Sequence, residues 1–470
     1  MKRRLTGRPI PGFRSAAGEA IQRYRHVLSQ RNSRALLIAA LFSVIGDWLN
    51  FVALMALAYD YGDGAIGVGG MLALRLVPGL VFQGFAGAIV DRVRTKRLLI
   101  LTQLTMAVLA WSFILLNAVE SIWLLYVLVV LLEIANTVAR PAFMVELIGT
   151  VAPDNRGAVN GLFGMTLTIA QFVGSLIGAL VLGVIGVTPL FIINGLTFAA
   201  IAFAVSRLNL ASRAKQPVGV STVASQSHPQ GPADESVATT LVQSDQPNEP
   251  TSPSLSAAGG FAGYAQLLVR PDVFVFSVLT VTISLLIQGA ASLFEVRARA
   301  LDQGEGGGGA FFAAVAVGFL LGGAIAGAGR YRSKSTLYLI AIAESVGTVG
   351  LIAFGYADSL VIAFIALVIT GISAELSEIP AFTFFQNRLP TDVYGRFFSL
   401  YLMATALGGL AGALIGPLLE RYISEGQTMV VLSIPGMLMA ATLVVVARFG
   451  EPDEPAVVAS VARERMIAAD

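Results

Sequence analysis

The chain has 470 residues, 56% hydrophobic and only 13% charged, with a formal net charge of +2, no cysteine and two histidines. So much apolar side chain exceeds what one soluble core can enclose, and the composition predicts an integral membrane protein with no call for a nucleic-acid partner. Without cysteine there is no disulfide or thiolate chemistry, and His26 and His228 lie far apart outside the apolar runs, so neither a catalytic nor a metal centre and no cofactor is expected.

Residues 1–33 are basic and polar for too long before the first apolar run to read as a cleaved leader. A crossing helix needs about 20 mostly apolar residues. Runs of that kind fall at 34–58, 66–90, 98–118, 121–145, 157–183 and 188–207, predicting helices 1 to 6 and a first bundle over residues 34–208. Between 209 and 260 the composition turns to Ser, Thr, Pro, Gln and Ala with no aromatic residue, which predicts a disordered linker. Apolar runs resume at 272–296, 309–329, 336–357, 359–386, 396–419 and 428–448 as helices 7 to 12, giving a second bundle over residues 261–448 and a tail over 449–470.

Basic residues fall on one side of this threading. Of the 31 Lys and Arg, 26 lie in the N-terminal segment, the tail and alternate loops, while Arg297, Arg299 and Arg421 lie on the opposite side and Arg75 and Arg140 within helices. The positive-inside rule then predicts both termini in the cytoplasm, and an inner (plasma) membrane location.

The second half repeats the first. Gly174-Ser175-Leu176-Ile177-Gly178-Ala179-Leu180 returns as Gly412-Ala413-Leu414-Ile415-Gly416-Pro417-Leu418, Pro141-Ala142-Phe143 as Pro380-Ala381-Phe382, and Arg92-Val93-Arg94-Thr95-Lys96 as Arg330-Tyr331-Arg332-Ser333-Lys334. Matched six-helix halves predict a duplicated transporter whose site lies at the midplane between them. The glycines four apart read as helix-packing seams rather than as substrate contacts.

An ionisable side chain inside a span costs about 2.5–3.5 kcal/mol to insert, so each one asks for a partner or a function. Asp47 lies halfway along helix 1 with Asn50 one turn on, and Arg75 enters helix 2 at a similar depth. A pair between Asp47 and Arg75 would be either a proton-coupling switch or a permanent structural link. On helix 4, Glu133, Asn136 and Arg140 share one face, and helix 10 offers Glu375 and Glu378. Gln288 on helix 7 is a further polar candidate, and Glu344 on helix 9 reads as structural. Gly304-Glu305-Gly306-Gly307-Gly308-Gly309 lacks the Lys-Ser or Lys-Thr of a phosphate loop and is expected to be a flexible hairpin between helices 7 and 8. With no nucleotide-hydrolysis motif, an ion or solute gradient must supply the energy.

Gly87-Ala88-Ile89-Val90-Asp91-Arg92-Val93-Arg94-Thr95-Lys96-Arg97, at the end of helix 2, resembles the loop 2–3 signature of the major facilitator superfamily, with Arg94 and Thr95 as departures. Gly46-Asp47-Trp48, Arg75 with Pro78, Pro141-Ala142-Phe143 ending helix 4, and Arg156 with Asn160-Gly161-Leu162 resemble the branch of enterobactin exporters and macrolide efflux proteins. The resemblance implies an all-α membrane fold of twelve helices, with helices 1, 4, 7 and 10 lining a central cavity. It also implies a latch in which Gly87, Asp91 and Arg92 engage the start of helix 11 at Arg396. It further implies a monomeric, proton-coupled exporter of small amphipathic molecules (drug, macrolide or siderophore) working by alternating access. An importer or lipid transporter on the same fold, or a membrane sensor that has lost transport, are the alternatives.

Overall fold

In the computed structural model the described residues are 22–152, 155–208, 267–327, 335–386 and 394–449, with residues 331 and 389. The linker 209–260, the tail from 450 and residues 1–21 lie outside them, as do the side chains of Gly87, Asp91 and Arg92. Twelve helices among the described residues are long and apolar enough to cross a membrane. They are α1 (Arg31–Tyr61), α2 (Ala65–Arg92), α3 (Thr95–Ser112), α4 (Ile122–Gly149), α5 (Arg156–Ile185) and α6 (Thr188–Arg207), then α7 (Pro271–Ala291), α8 (Gly308–Ala326), α9 (Ser335–Gly355), α10 (Leu360–Gln386), α11 (Tyr394–Glu420) and α12 (Glu425–Phe449). In a bilayer a spanning segment must satisfy its own backbone, and a helix does so locally.

Two of these differ usefully from the expected spans. The α4 helix runs through Pro141 to Gly149, past the expected end at 145, as its repeat α10 runs through Pro380; within a bundle, neighbouring helices tolerate the lost backbone hydrogen bond. After α7 the chain turns at Ser292 and Leu293 and resumes as a short helix, Phe294–Ala300. That continuation places Arg297 and Arg299 in a packed helix rather than in a loop.

The packing repeats with the sequence. In the first half α1 packs on α5 and α6, α2 on α4, and α3 on α4 and α6; in the second, α7 packs on α11 and α12, α8 on α10, and α9 on α10 and α12. Small residues set the closest approaches, as expected where backbone contact replaces hydrophobic drive. A side chain at Gly174 would sit 2.6 Å from Trp48 Cβ and 2.8 Å from the Ile45 carbonyl of α1, and one at Gly416 would sit 2.8 Å from the Gly289 carbonyl of α7. The duplicated glycine motif is thus a packing seam in both copies. Lys96, expected to act only on topology, donates to the Ser206 and Leu208 carbonyls at 3.0 and 2.8 Å, capping the end of α6.

The halves meet along two seams, α5 with α8 and α2 with α11. The contacts that carry them cluster where α1 ends, α2 begins and the short helix follows α7. There, Arg299 Nη1 reaches Asp60 Oδ1 at 2.8 Å, a side chain at Gly69 would sit 2.5 Å from Pro417 Cγ, and one at Gly309 would sit 2.8 Å from the Ser175 carbonyl. The glycine-rich stretch before α8 is not a loose hairpin. Glu295, fully buried, accepts the backbone N–H groups of Gly306 and Gly308 at 2.9 and 3.2 Å and the Nε of Arg299 at 3.1 Å. Gly304 and Gly306 take φ of 70° and 75°, a region glycine enters without strain.

Candidate functional site

A cavity of about 370 Å³ opens inside the first half, on the side of the midplane where α1 starts. Its walls come from all six helices of that half: Ser43, Asp47, Trp48 and Phe51 of α1, Arg75 of α2, Gln103 and Met106 of α3, Asn136, Arg140 and Phe143 of α4, Phe163 and Gln171 of α5, and Phe198 of α6. A smaller space of about 30 Å³ continues inward between Asn50, Leu54, Val129 and Glu133. Gly46, one residue before Asp47, lets α6 approach: a side chain there would lie 2.8 Å from Asn194 Oδ1. The close approach brings Asn194 beside the Asp47 carboxylate.

Arg75 is partnered, but not by Asp47. Its Nε donates to Glu133 Oε1 at 2.7 Å, Glu133 Oε2 accepts from Asn136 Nδ2 at 3.2 Å, and the guanidinium carbon lies 4.6 Å from the Phe51 ring centre. The expected link between α1 and α2 is therefore a link between α2 and α4, braced by an α1 aromatic ring through a cation–π contact. Physically, Arg75 takes the carboxylate that a bundled α2–α4 pair brings within reach. Among the described residues neither Asp47 nor Arg140 has an ion-pair partner within 4.0 Å.

The roof of the cavity is aromatic and crosses between the halves. Trp48 lies 5.1 Å from Phe51 and 5.4 Å from Phe312 of α8, Phe51 lies 5.1 Å from Phe312, and Phe312 lies 4.8 Å from Phe294. These rings separate the cavity from the closed end bearing Asp60 and Arg299.

The other polar candidates lie outside this cavity. Glu378 of α10 accepts a hydrogen bond from the Tyr401 hydroxyl of α11, and Glu375 packs towards Gly322 of α8. Gln288 of α7 packs against Gly409 of α11. Glu344 of α9, which reads from the sequence as structural, accepts the Ser377 hydroxyl of α10 at 2.6 Å and lies beside the α10 acids in a second polar cluster. Two further polar groups, which no pattern along the chain singles out, line the cavity. Gln103 is buried in the wall of the cavity with no donor to its Oε1 among the described residues, and Gln171 lines the same wall. An isolated glutamine in an apolar run gives no signal of the face it will take.

Twelve helices in two packed halves with a polar cavity at mid-depth define a membrane transporter. The chain belongs to the Major Facilitator Superfamily, whose family model matches residues 36–413, and it is a transporter rather than an enzyme. Among curated relatives it is 25% identical over 419 residues to the "Putative bacilysin exporter BacE" of Bacillus amyloliquefaciens, spanning 88% of this chain and 94% of that protein. The protein of the same name from Bacillus subtilis (strain 168) is 22% identical over 417 residues, again 88% and 94% of the two chains. Among solved structures it resembles a bacterial homolog of the human lysosomal transporter Spinster, inward-facing and unoccupied, at TM-score 0.64 and 16% identity over 91% of this chain and 100% of that one. A nucleoside transporter NupG variant gives TM-score 0.66 at 10% identity over 88% and 99%. At these identities the structural likeness speaks to the fold.

Proposed function

We propose that the protein is a secondary active exporter of small amphipathic molecules, working as a monomer in the plasma membrane by alternating access and driven by exchange with protons. The observation that carries this reading is the cavity beneath a closed seam. Polar groups from five helices converge on one space lying at the depth of the bundle nearer the start of α1, while Asp60, Arg299, Gly69 and Gly309 hold the halves together at the other end. With the basic loops in the cytoplasm, that geometry is an inward-facing state, loaded from the cytoplasm before the halves rock.

Cargo class follows from the lining. Aromatic rings at Phe51, Phe143, Phe163 and Phe198 give apolar surface, while Arg75 and Arg140 are matched in number by Asp47 and Glu133. A balance of that kind favours an amphipathic solute over either a simple anion or a lipid tail. Export is supported by the names of the curated relatives.

For coupling, Asp47 is the best-placed carboxylate, since it faces the cavity without an ion-pair partner. The titratable and charged groups around it are Glu133, Arg75 and Arg140. Glu344, Glu375 and Glu378 form a second carboxylate group in the other half, fit to hold a proton away from the cargo. Reconstitution into proteoliposomes with an imposed pH gradient tests the reading: gradient-driven movement of a cargo is expected, and movement indifferent to the gradient would remove the proton from the mechanism.

A further inference from the structure

We propose that the cavity of the first half selects a small zwitterion, a molecule carrying separate ammonium and carboxylate groups on an apolar body, with Asp47 and Gln103 receiving the ammonium and Arg140 the carboxylate. The proposal rests on the exporter reading and specifies its cargo.

The charges lining the cavity are two guanidinium groups and two carboxylates. One of each is already spent: Arg75 and Glu133 neutralise one another at 2.7 Å. What is left facing the space is one carboxylate on α1 and one guanidinium on α4, neither in an ion pair among the described residues. Asp47 is half-buried, Arg140 is exposed to the cavity, and the two act on one another only through space; a solute bringing the opposite charge to each gains a direct contact that the protein does not supply. A purely cationic cargo would contact Asp47 and be repelled by Arg140, and an anion would do the reverse. Only a molecule bearing both signs satisfies both.

A third group points the same way. Gln103 Oε1 is buried in the wall of the same cavity with no donor among the described residues, and an ammonium, with three N–H donors, can serve a carboxylate and a carbonyl oxygen together. Trp48, Phe143, Phe163 and Phe198 contribute aromatic surface to the same wall, which suits an apolar body between the charged ends. The volume of about 370 Å³ falls at the lower end of the roughly 300–1,000 Å³ typical of ligand pockets, so the molecule is small. The arrangement also gives a reason for exchange: one carboxylate at Asp47 holds either a proton or the cargo's ammonium, so loading one displaces the other.

Trp48 in the wall supplies a direct readout. Purified protein carrying Trp111→Phe and Trp123→Phe retains Trp48 as its only tryptophan, and its fluorescence is titrated with leucylphenylalanine, the N-acetyl derivative and the C-terminal amide. The free dipeptide is expected to quench with a midpoint about tenfold below either capped form, the size of one lost charge contact. In Asp47→Asn the acetyl cap should cease to matter while the amide still weakens binding; in Arg140→Gln the dependence should reverse. The Trp111→Phe, Trp123→Phe protein is first matched to the unsubstituted chain in its thermal melt, and equal midpoints for all three probes in it, or no quenching by any, would then overturn the proposal without recourse to the Asp47 and Arg140 variants. Quenching with the expected pattern but no transport in proteoliposomes would leave the zwitterion site standing and sink the exporter reading instead.

Discussion

Arg299, on the short helix after α7, reaches Asp60 at the end of α1 at 2.8 Å while its Nε holds buried Glu295 at 3.1 Å and its guanidinium carbon stacks 4.3 Å from the Tyr59 ring centre. One guanidinium thus ties the two halves at the end away from the cavity. Because Glu295 is itself fixed by the Gly306 and Gly308 amides, Arg299 cannot follow Asp60 when the halves part, and the Asp60 contact is the one that must break. Arg299→Gln or Asp60→Asn should raise access to the cavity from that end roughly fivefold, the worth of about 1 kcal/mol for a partly exposed pair. The chain has no cysteine, so a single cysteine at Ser43 labelled by an impermeant thiol reagent measures it. Labelling that does not change would show that the pair is not a closing contact.

At Gly69 the backbone of α2 lies against α11, and a side chain would run into Pro417 Cγ at 2.5 Å and the Ala413 carbonyl. Gly69→Leu should wedge the halves apart at this end and favour the opposite conformation, seen as faster labelling of the same cysteine from the Asp60 side. Gly157→Leu, where nothing lies within 4 Å, is the control expected to leave labelling unaltered.

Glu133 holds both Arg75 and Asn136. Glu133→Gln removes the countercharge and leaves a guanidinium at mid-depth, so thermal stability in detergent should fall by about 1–3 kcal/mol. Removing both charges with Arg75→Met and Glu133→Leu should recover most of that loss, since the cost lies in the stranded charge. A double variant as unstable as the single one would mean that the pair itself stabilises the bundle.

Asp47→Asn should abolish proton-driven efflux in proteoliposomes without lowering the amount of folded protein in the membrane. Unchanged gradient-driven transport in that variant would take Asp47 out of the coupling step and shift attention to Glu344, Glu375 and Glu378.

Gly306 combines a φ of 75° with a close approach to the Leu182 side chain of α5, whereas Gly304, at 70°, faces open space. Gly306→Ala should therefore destabilise by about 2–3 kcal/mol and Gly304→Ala by about 1 kcal/mol. Equal effects in thermal melts would show that the contact with Leu182 adds nothing to the backbone strain.

Much of the architecture was legible along the chain, for reasons that are local. A run of apolar residues long enough to cross a bilayer declares itself without neighbours, so the twelve helices were expected within a few residues. Their pairing into two alike halves followed from the returned Gly174–Leu180 and Gly412–Leu418 segments. Where local pattern misleads, the deciding interaction is distant in sequence. Arg297 and Arg299 looked like loop residues because the apolar run stops before them, but Glu295, Asp60 and Glu425 draw both into a packed helix.

The amino-acid sequence alone determined that the chain threads a membrane twelve times, that its halves are copies, that small residues four apart make its helix seams, and that charges at Asp47, Arg75, Glu133 and Arg140 would be confined to mid-depth. Each of these is a property of composition or periodicity and needs no knowledge of what lies across the bundle. Tertiary structure alone decided which charge meets which. The rotation of α2 about its axis and its packing on α4 gave Arg75 to Glu133 and left Asp47 and Arg140 facing the cavity, because hydrogen-bond reach is a few ångströms and the spacing of residues along separate helices says nothing about the azimuth at which they turn towards one another.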